Sequence, residues 1–152
     1  MMLIIDKKEQ GRFLRFAAVG TIGAIIDLSI FNILSSGFGL PALQAQAVSF
    51  SVAVISNFLW NRYWTYPDSR NKSITSQLVQ FIAVSFIGLT IRTLIFDRLE
   101  KSLIWLAGQA VGTSFILSPT TIGHNIALGT VIIVIMFWNF FINRYWTYND
   151  VK

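Results

Sequence analysis

Four long apolar runs dominate the chain and restrict what it can fold into. A helix rises 1.5 Å per residue, so roughly 20 apolar residues cross the hydrocarbon core of a bilayer. The first run, Leu14 to Leu34, is broken only by Arg15, Asp27 and Asn32. The second extends from Leu43 to Trp60, the third from Leu78 to Phe96 with Arg92 as its one charge, and the last from Asn125 to Phe141. These runs predict an all-α membrane protein with transmembrane helices over 14–36, 43–61, 78–97 and 124–143. The uncharged stretch Ser35 to Pro41 breaks the first pair, and the polar stretch Pro67 to Gln77 divides the two pairs. The segment 97–123 opens on Asp97-Arg98-Leu99-Glu100-Lys101, is apolar over Leu103 to Leu117 and turns at Ser118-Pro119. Too short and glycine-rich for a crossing, it is expected as an extracytoplasmic loop with an interfacial or re-entrant segment. The first run is too long for a signal-peptide core and has no convincing small-residue cleavage site, so it reads as a retained helix.

Composition agrees. Charged residues are 12% of the 152, about half the usual share, too few to cover a soluble domain. The absence of cysteine excludes disulfides, thiolate metal sites and lipoprotein acylation, and a single His124 excludes an all-histidine metal site. No nucleophile–base pair, carboxylate dyad or phosphate-cradling glycine loop is visible. The chain therefore reads as a non-enzyme with no metal or cofactor and no nucleic-acid partner.

Nine of the 12 Lys and Arg residues flank three segments: Lys7, Lys8, Arg12 and Arg15; Arg62, Arg70 and Lys72; Arg144 and Lys152. Lysine and arginine accumulate on the cytoplasmic side, which predicts that both termini and the middle loop are cytoplasmic. So large a bias argues against dual topology.

The chain is also a duplication. The string Asn-Arg-Tyr-Trp-Thr-Tyr occurs at 61–66 and again at 143–148. Phe16, Val19, Gly23, Phe31 and Leu34 align with Phe81, Val84, Gly88, Phe96 and Leu99. Repeat one covers about 12–66 and repeat two about 78–148. Each repeat crosses twice, so the two are parallel, related by a pseudo-two-fold axis along the membrane normal.

Asp27 and Arg92 occupy the same position of the two repeats with opposite sign. Each lies roughly 18 Å beyond the start of its helix. A charge at that depth costs at least ~2.5 kcal/mol and faces the bundle interior or a wet cavity. A structural ion pair fits this placement, as does an Arg92 that meets an anionic headgroup with Asp27 as its gate. Asn57 and Asn61 share one helix face, as do Asn139 and Asn143. Asn57 continues a small-residue stripe of Ala45, Ser49 and Ala53, which suits close helix packing with amide hydrogen bonds. Arg62 and Arg144, beside Asn61 and Asn143, read either as interface anchors or as a phosphate-binding mouth. Arg12 and Arg15 read as topology determinants and contacts to anionic lipid, and His124 as an interfacial residue.

The opening Arg15-Phe16-x-x-Val19-Gly20, the Asp27 inside the first helix, and the two Asn-Arg-x-Trp-Thr-aromatic strings together resemble the GtrA-like family, from about Arg12 to Tyr148. The resemblance implies a four-helix protein of the cytoplasmic membrane tied to cell-surface polysaccharide synthesis. It further implies translocation of polyprenyl-phosphate-linked sugars, undecaprenyl phosphate being the expected carrier, for glycosyltransferases on the far side. The second repeat departs from the pattern at Gln80-Phe81-x-x-Val84-Ser85, where the arginine and glycine are replaced. Any role needing a pair of such arginines loses its support.

Three functions follow. A flippase would hold lipid phosphate with Arg62, Arg144, Arg92, Asn61 and Asn143, and gate with Asp27. A non-transporting partner would recruit or stabilise a membrane glycosyltransferase. A small multidrug-resistance-like exporter would depend on Asp27 but leaves the arginine clusters unexplained. Membrane lipids are expected partners in each case. Four short helices enclose little volume, so a homodimer is expected.

Overall fold

The computed structural model describes residues 6–69, 71–110 and 118–151. Four helices, α1 (Lys7–Asn32), α2 (Ala42–Trp60), α3 (Ile74–Ala110) and α4 (Pro119–Ile142), are long and apolar enough to cross a membrane. There is no strand among the described residues. Helices are what hydrocarbon demands, because each backbone donor and acceptor must be satisfied without water.

Local sequence sets the helix ends. Asp6 caps α1, its carboxylate accepting from the Lys8 amide at 2.9 Å, which satisfies one of the unpaired first-turn donors. At the other end α1 widens into a π-helical turn over Ile33–Gly37, and the Phe38 amide reaches back to the Ile33 carbonyl at 3.1 Å. Gly39 then reverses the chain at φ 67°, a left-handed conformation that only a residue without Cβ adopts freely. Pro41 follows, with no amide to leave unsatisfied where α2 begins.

The third helix departs from expectation. It does not end at residue 97 but continues without a break to Ala110, 37 residues in all. That length is about 55 Å, well beyond a ~30 Å hydrocarbon core. The charges at Asp97 to Lys101 mark where hydrocarbon ends rather than where the helix ends. Arg, Leu, Glu and Lys are good helix formers, and Lys101 pairs with Asp97 one turn back at 2.9 Å. The expected loop is therefore helical over 97–110; the remainder of the suggested re-entrant piece, 111–117, lies outside the described residues.

The chain forms two compact units, Met1–Ala83 with Ile142–Lys152, and Val84–Phe141. In the first, α1 buries Phe16, Val19 and Gly23, and α2 buries Ala45, Ser49 and Ala53 at four-residue spacing. The Asn57 side chain lies across Gly23 so closely that a Cβ there would overlap its amide. The second unit repeats the device. A Cβ on Gly88 would lie 2.9 Å from Asn139 Oδ1, and one on Gly123 would lie 2.5 Å from the Ile104 amide nitrogen. Both contacts fit one antiparallel register. Lipid tails are as apolar as leucine, so helices associate here through close approach at small residues and through amide contacts. Ile25, Leu28, Val52 and Ile55 stay exposed, as a lipid-facing surface allows.

Gly23→Val should destabilise the first unit by about 1–3 kcal/mol through overpacking. Adding Asn57→Ala should recover most of the loss. Thermal unfolding in detergent reads both, and simple additivity of the two changes would show that the residues do not meet.

Candidate functional site

The duplicated string builds the same local structure twice. Asn61–Thr65 and Asn143–Thr147 each form a π-helical turn, closed by the Tyr66 amide on the Asn61 carbonyl and by the Tyr148 amide on the Asn143 carbonyl, both at 2.8 Å. Such wide turns are rare and concentrate at functional sites. Each turn sends Asn, Arg, Thr and the last Tyr inward, while Tyr63, Trp64, Tyr145 and Trp146 stay exposed. Exposed Tyr and Trp suit headgroup depth. Cations cap the freed carbonyls: Arg15 donates to Trp64 at 3.0 Å and Lys72 to Trp146 at 3.1 Å. The two inward tyrosines, Tyr66 and Tyr148, are fully buried and stack at 4.4 Å between ring centroids. Burial raises both phenol pKa values well above the ordinary range, so both rings stay neutral.

Around this stack lies a buried ionic group. Glu9, 5% exposed, accepts from Arg12 and from Arg144, whose Nε sits 3.2 Å from both carboxylate oxygens. The Arg12 guanidinium also stands 5.9 Å from the Tyr66 ring centroid and 3.6 Å from the Asp68 carboxylate. Arg144 additionally donates to the Tyr148 carbonyl at 3.4 Å, and Thr147 donates to Asn143 Oδ1 at 2.8 Å. Asn143, Arg144 and Thr147 of the second string thus have partners, while the Tyr148 hydroxyl, like that of Tyr66, is buried without one among the described residues.

The first string, identical in sequence, does not reach that state. Arg62 is 7% exposed, and among the described residues its hydrogen bond runs from Nη2 to the Lys72 carbonyl at 3.4 Å. Its Nε and Nη1, the Asn61 Oδ1 and the Thr65 Oγ1 are buried without a hydrogen-bond partner among the described residues. A buried group left unpaired costs about 1–3 kcal/mol, more when charged. No carboxylate forms an ion pair with Arg62 among the described residues. Nearby, Gln77 donates to Ser69 at 2.5 Å and Ser69 to the Asp150 carboxylate at 2.5 Å, with Gln77 at the repeat position that Arg12 holds in its contact with Asp68.

The structure therefore brings Asn61, Arg62, Asn143 and Arg144 to one end of the first unit. Asp27 belongs to that unit too, half-buried on α1 with Oδ1 buried and unpaired. Arg92 belongs to the second unit and is exposed on α3. His124, expected at the interface, lies with Nδ1 2.7 Å from Glu100 on the extended part of α3, its ring edge-on to Phe96.

Residues 15–148 match a family model described as GtrA/DPMS, transmembrane domain. The chain belongs to this family. Two relatives indicate its range. The membrane protein YngA of Bacillus subtilis, itself uncharacterised, is 28% identical over 138 residues, 90% of this chain and 78% of that one. A dolichol-phosphate mannosyltransferase of Pyrococcus furiosus is 28% identical over 88 residues, which is 58% of this chain but 25% of that enzyme. The chain thus matches about a quarter of the mannosyltransferase's length.

For this GtrA/DPMS-family chain, sequence reasoning found the paired Asn-Arg residues and missed Glu9, Gln77, Ser69 and the tyrosine stack. A signal existed. Extending the repeat alignment upstream sets Glu9 against Ile74 and Arg12 against Gln77, so the acid and its basic neighbour are present in one repeat alone.

Glu9→Gln should cost about 3–5 kcal/mol, because Arg12 and Arg144 would remain buried without their shared counter-charge. The double variant with Arg144→Gln should regain much of that loss in thermal unfolding. Equal melting of Glu9→Gln and the unaltered protein would show that the ion pair adds nothing.

Proposed function

We propose that this protein moves polyprenyl-phosphate-linked sugars across the cytoplasmic membrane, without catalysing a covalent reaction, for glycosylation of cell-surface polysaccharide. Its termini and middle loop face the cytoplasm, where the basic residues concentrate. The observation that carries the reading is a buried guanidinium, Arg62, with two donors unpaired at the end of a membrane helix. A permanent cation with directed donors is what a phosphate ester on a lipid needs. Arg62 and Asn61 meet the headgroup, while Arg144 and Asn143 are taken up by partners within the chain. Arg92 and Asp27 supply polar groups further along the helices, Asp27 as a gate. The family supports this substrate class, since its description joins GtrA to DPMS and one relative is named for dolichol phosphate.

A second reading is that the protein anchors a membrane glycosyltransferase without transporting. It is favoured by the mannosyltransferase relative, a chain much longer than the segment it shares with this one.

Scrambling of a fluorescent polyprenyl-phosphate sugar in proteoliposomes separates the two. Transport should appear with the intact protein, and Arg62→Gln, Arg92→Gln and Asp27→Asn should each lower it about tenfold or more, the scale of one charge-assisted hydrogen bond. Monodisperse elution of each variant establishes folding. No flux above empty liposomes from a folded protein would favour the anchoring reading.

A further inference from the structure

We infer that the two repeats have divided their roles, so that the Arg62 half alone binds an anionic phosphate ester while Glu9 holds the Arg144 half closed as a structural lock. For its ligand class this rests on the lipid-phosphate reading above.

The argument starts from identical strings in unlike surroundings. In the second string Arg144 is paired with Glu9, and Thr147 donates to Asn143 Oδ1. In the first, Arg62 Nε and Nη1, Asn61 Oδ1 and Thr65 Oγ1 are unpaired, although their residues are 7%, 2% and 0% exposed. Buried polar groups almost always find partners, so a group of three unsatisfied residues on one turn calls for a ligand. Their chemistry is complementary to a glycosyl phosphate. The guanidinium and the threonine hydroxyl donate to phosphate oxygens, and the asparagine amide accepts from or donates to a sugar hydroxyl.

The cause of the asymmetry lies upstream in each repeat. Glu9 aligns with Ile74, the first residue of α3, and Arg12 with Gln77. The Arg62 Nη2 bond to the Lys72 carbonyl places the start of α3 beside the guanidinium, as the start of α1 lies beside Arg144. An apolar residue thus stands where the other repeat has its carboxylate. Ile74 leaves the charge of Arg62 uncompensated, and Glu9 compensates that of Arg144. Glu9 acts through Arg144 as a positioning residue, and the incoming phosphate supplies to Arg62 what Glu9 supplies to Arg144.

The test is binding, separate from transport. The full chain in nanodiscs is titrated with farnesyl monophosphate and, in a parallel arm, with inorganic phosphate. Arg62→Gln should weaken farnesyl phosphate binding about tenfold or more, the scale of a lost charge-assisted hydrogen bond. Ile74→Glu should do the same while leaving the melting temperature unchanged or raised, because it gives Arg62 an internal carboxylate at a half-exposed position. The double variant Glu9→Gln with Arg144→Gln should bind as the unaltered protein does. Equal binding by the unaltered protein, Arg62→Gln and Ile74→Glu would overturn the inference. So would loss of binding in the double variant with folding intact. Equal, Arg62-dependent affinity for inorganic phosphate would uphold the one-sided site and count against a lipid-borne ligand. Binding without flux in proteoliposomes would uphold it and count against transport.

Discussion

Hydrocarbon offers no hydrogen bonds, and most of this structure follows from that. An unpaired backbone group in the bilayer core costs several kcal/mol, so every crossing is helical. The same medium removes the ordinary drive to bury leucine, so the helices meet where backbones come close. Gly23 beneath Asn57 and Gly88 beneath Asn139 are two such places, and they occupy matching positions in the repeats. A side chain on either glycine would collide with the asparagine that lies over it.

Where the helices leave the hydrocarbon, a different cost governs. Glu9, Arg12, Arg62 and Arg144 are charged groups taken almost fully out of water. Removing a charge from water is tolerated when geometry returns the lost solvation. One carboxylate shared between Arg12 and Arg144 does so on one side. On the other side Gln77, Ser69 and Asp150 form a hydrogen-bonded chain, and no carboxylate pairs with Arg62 among the described residues. The duplicated string thus supplies two copies of one π-helical turn, and the helix start beside each decides whether its arginine is satisfied. Duplication preserved the geometry, and divergence at Glu9 and Ile74 separated the chemistry.

The membrane architecture was legible because hydropathy is a one-dimensional property. A run such as Leu43 to Trp60 needs no knowledge of its neighbours to be read as a crossing. The end of α3 was not legible for a related reason. Charges at Asp97, Arg98, Glu100 and Lys101 report the polarity of the surroundings, and a helix passes from lipid to water without breaking. Asn61, Arg62, Asn143 and Arg144 stood out because the string recurs. Glu9 did not, since it lies ahead of the apolar run that marked the first helix; the structure puts it in the first turn of α1, where acids are common. Its partner Arg144 is 135 residues away.

By itself the sequence determined four apolar crossings, two repeats and the identity of the polar residues at their ends, because length, polarity and recurrence are properties of the chain alone. The tertiary structure decided which of those residues are satisfied. Pairing of a buried charge depends on what other helices bring within about 3 Å of it. Arg62 and Arg144, indistinguishable within their strings, differ only in that respect, one beside a helix that begins with Ile74 and the other beside one that carries Glu9.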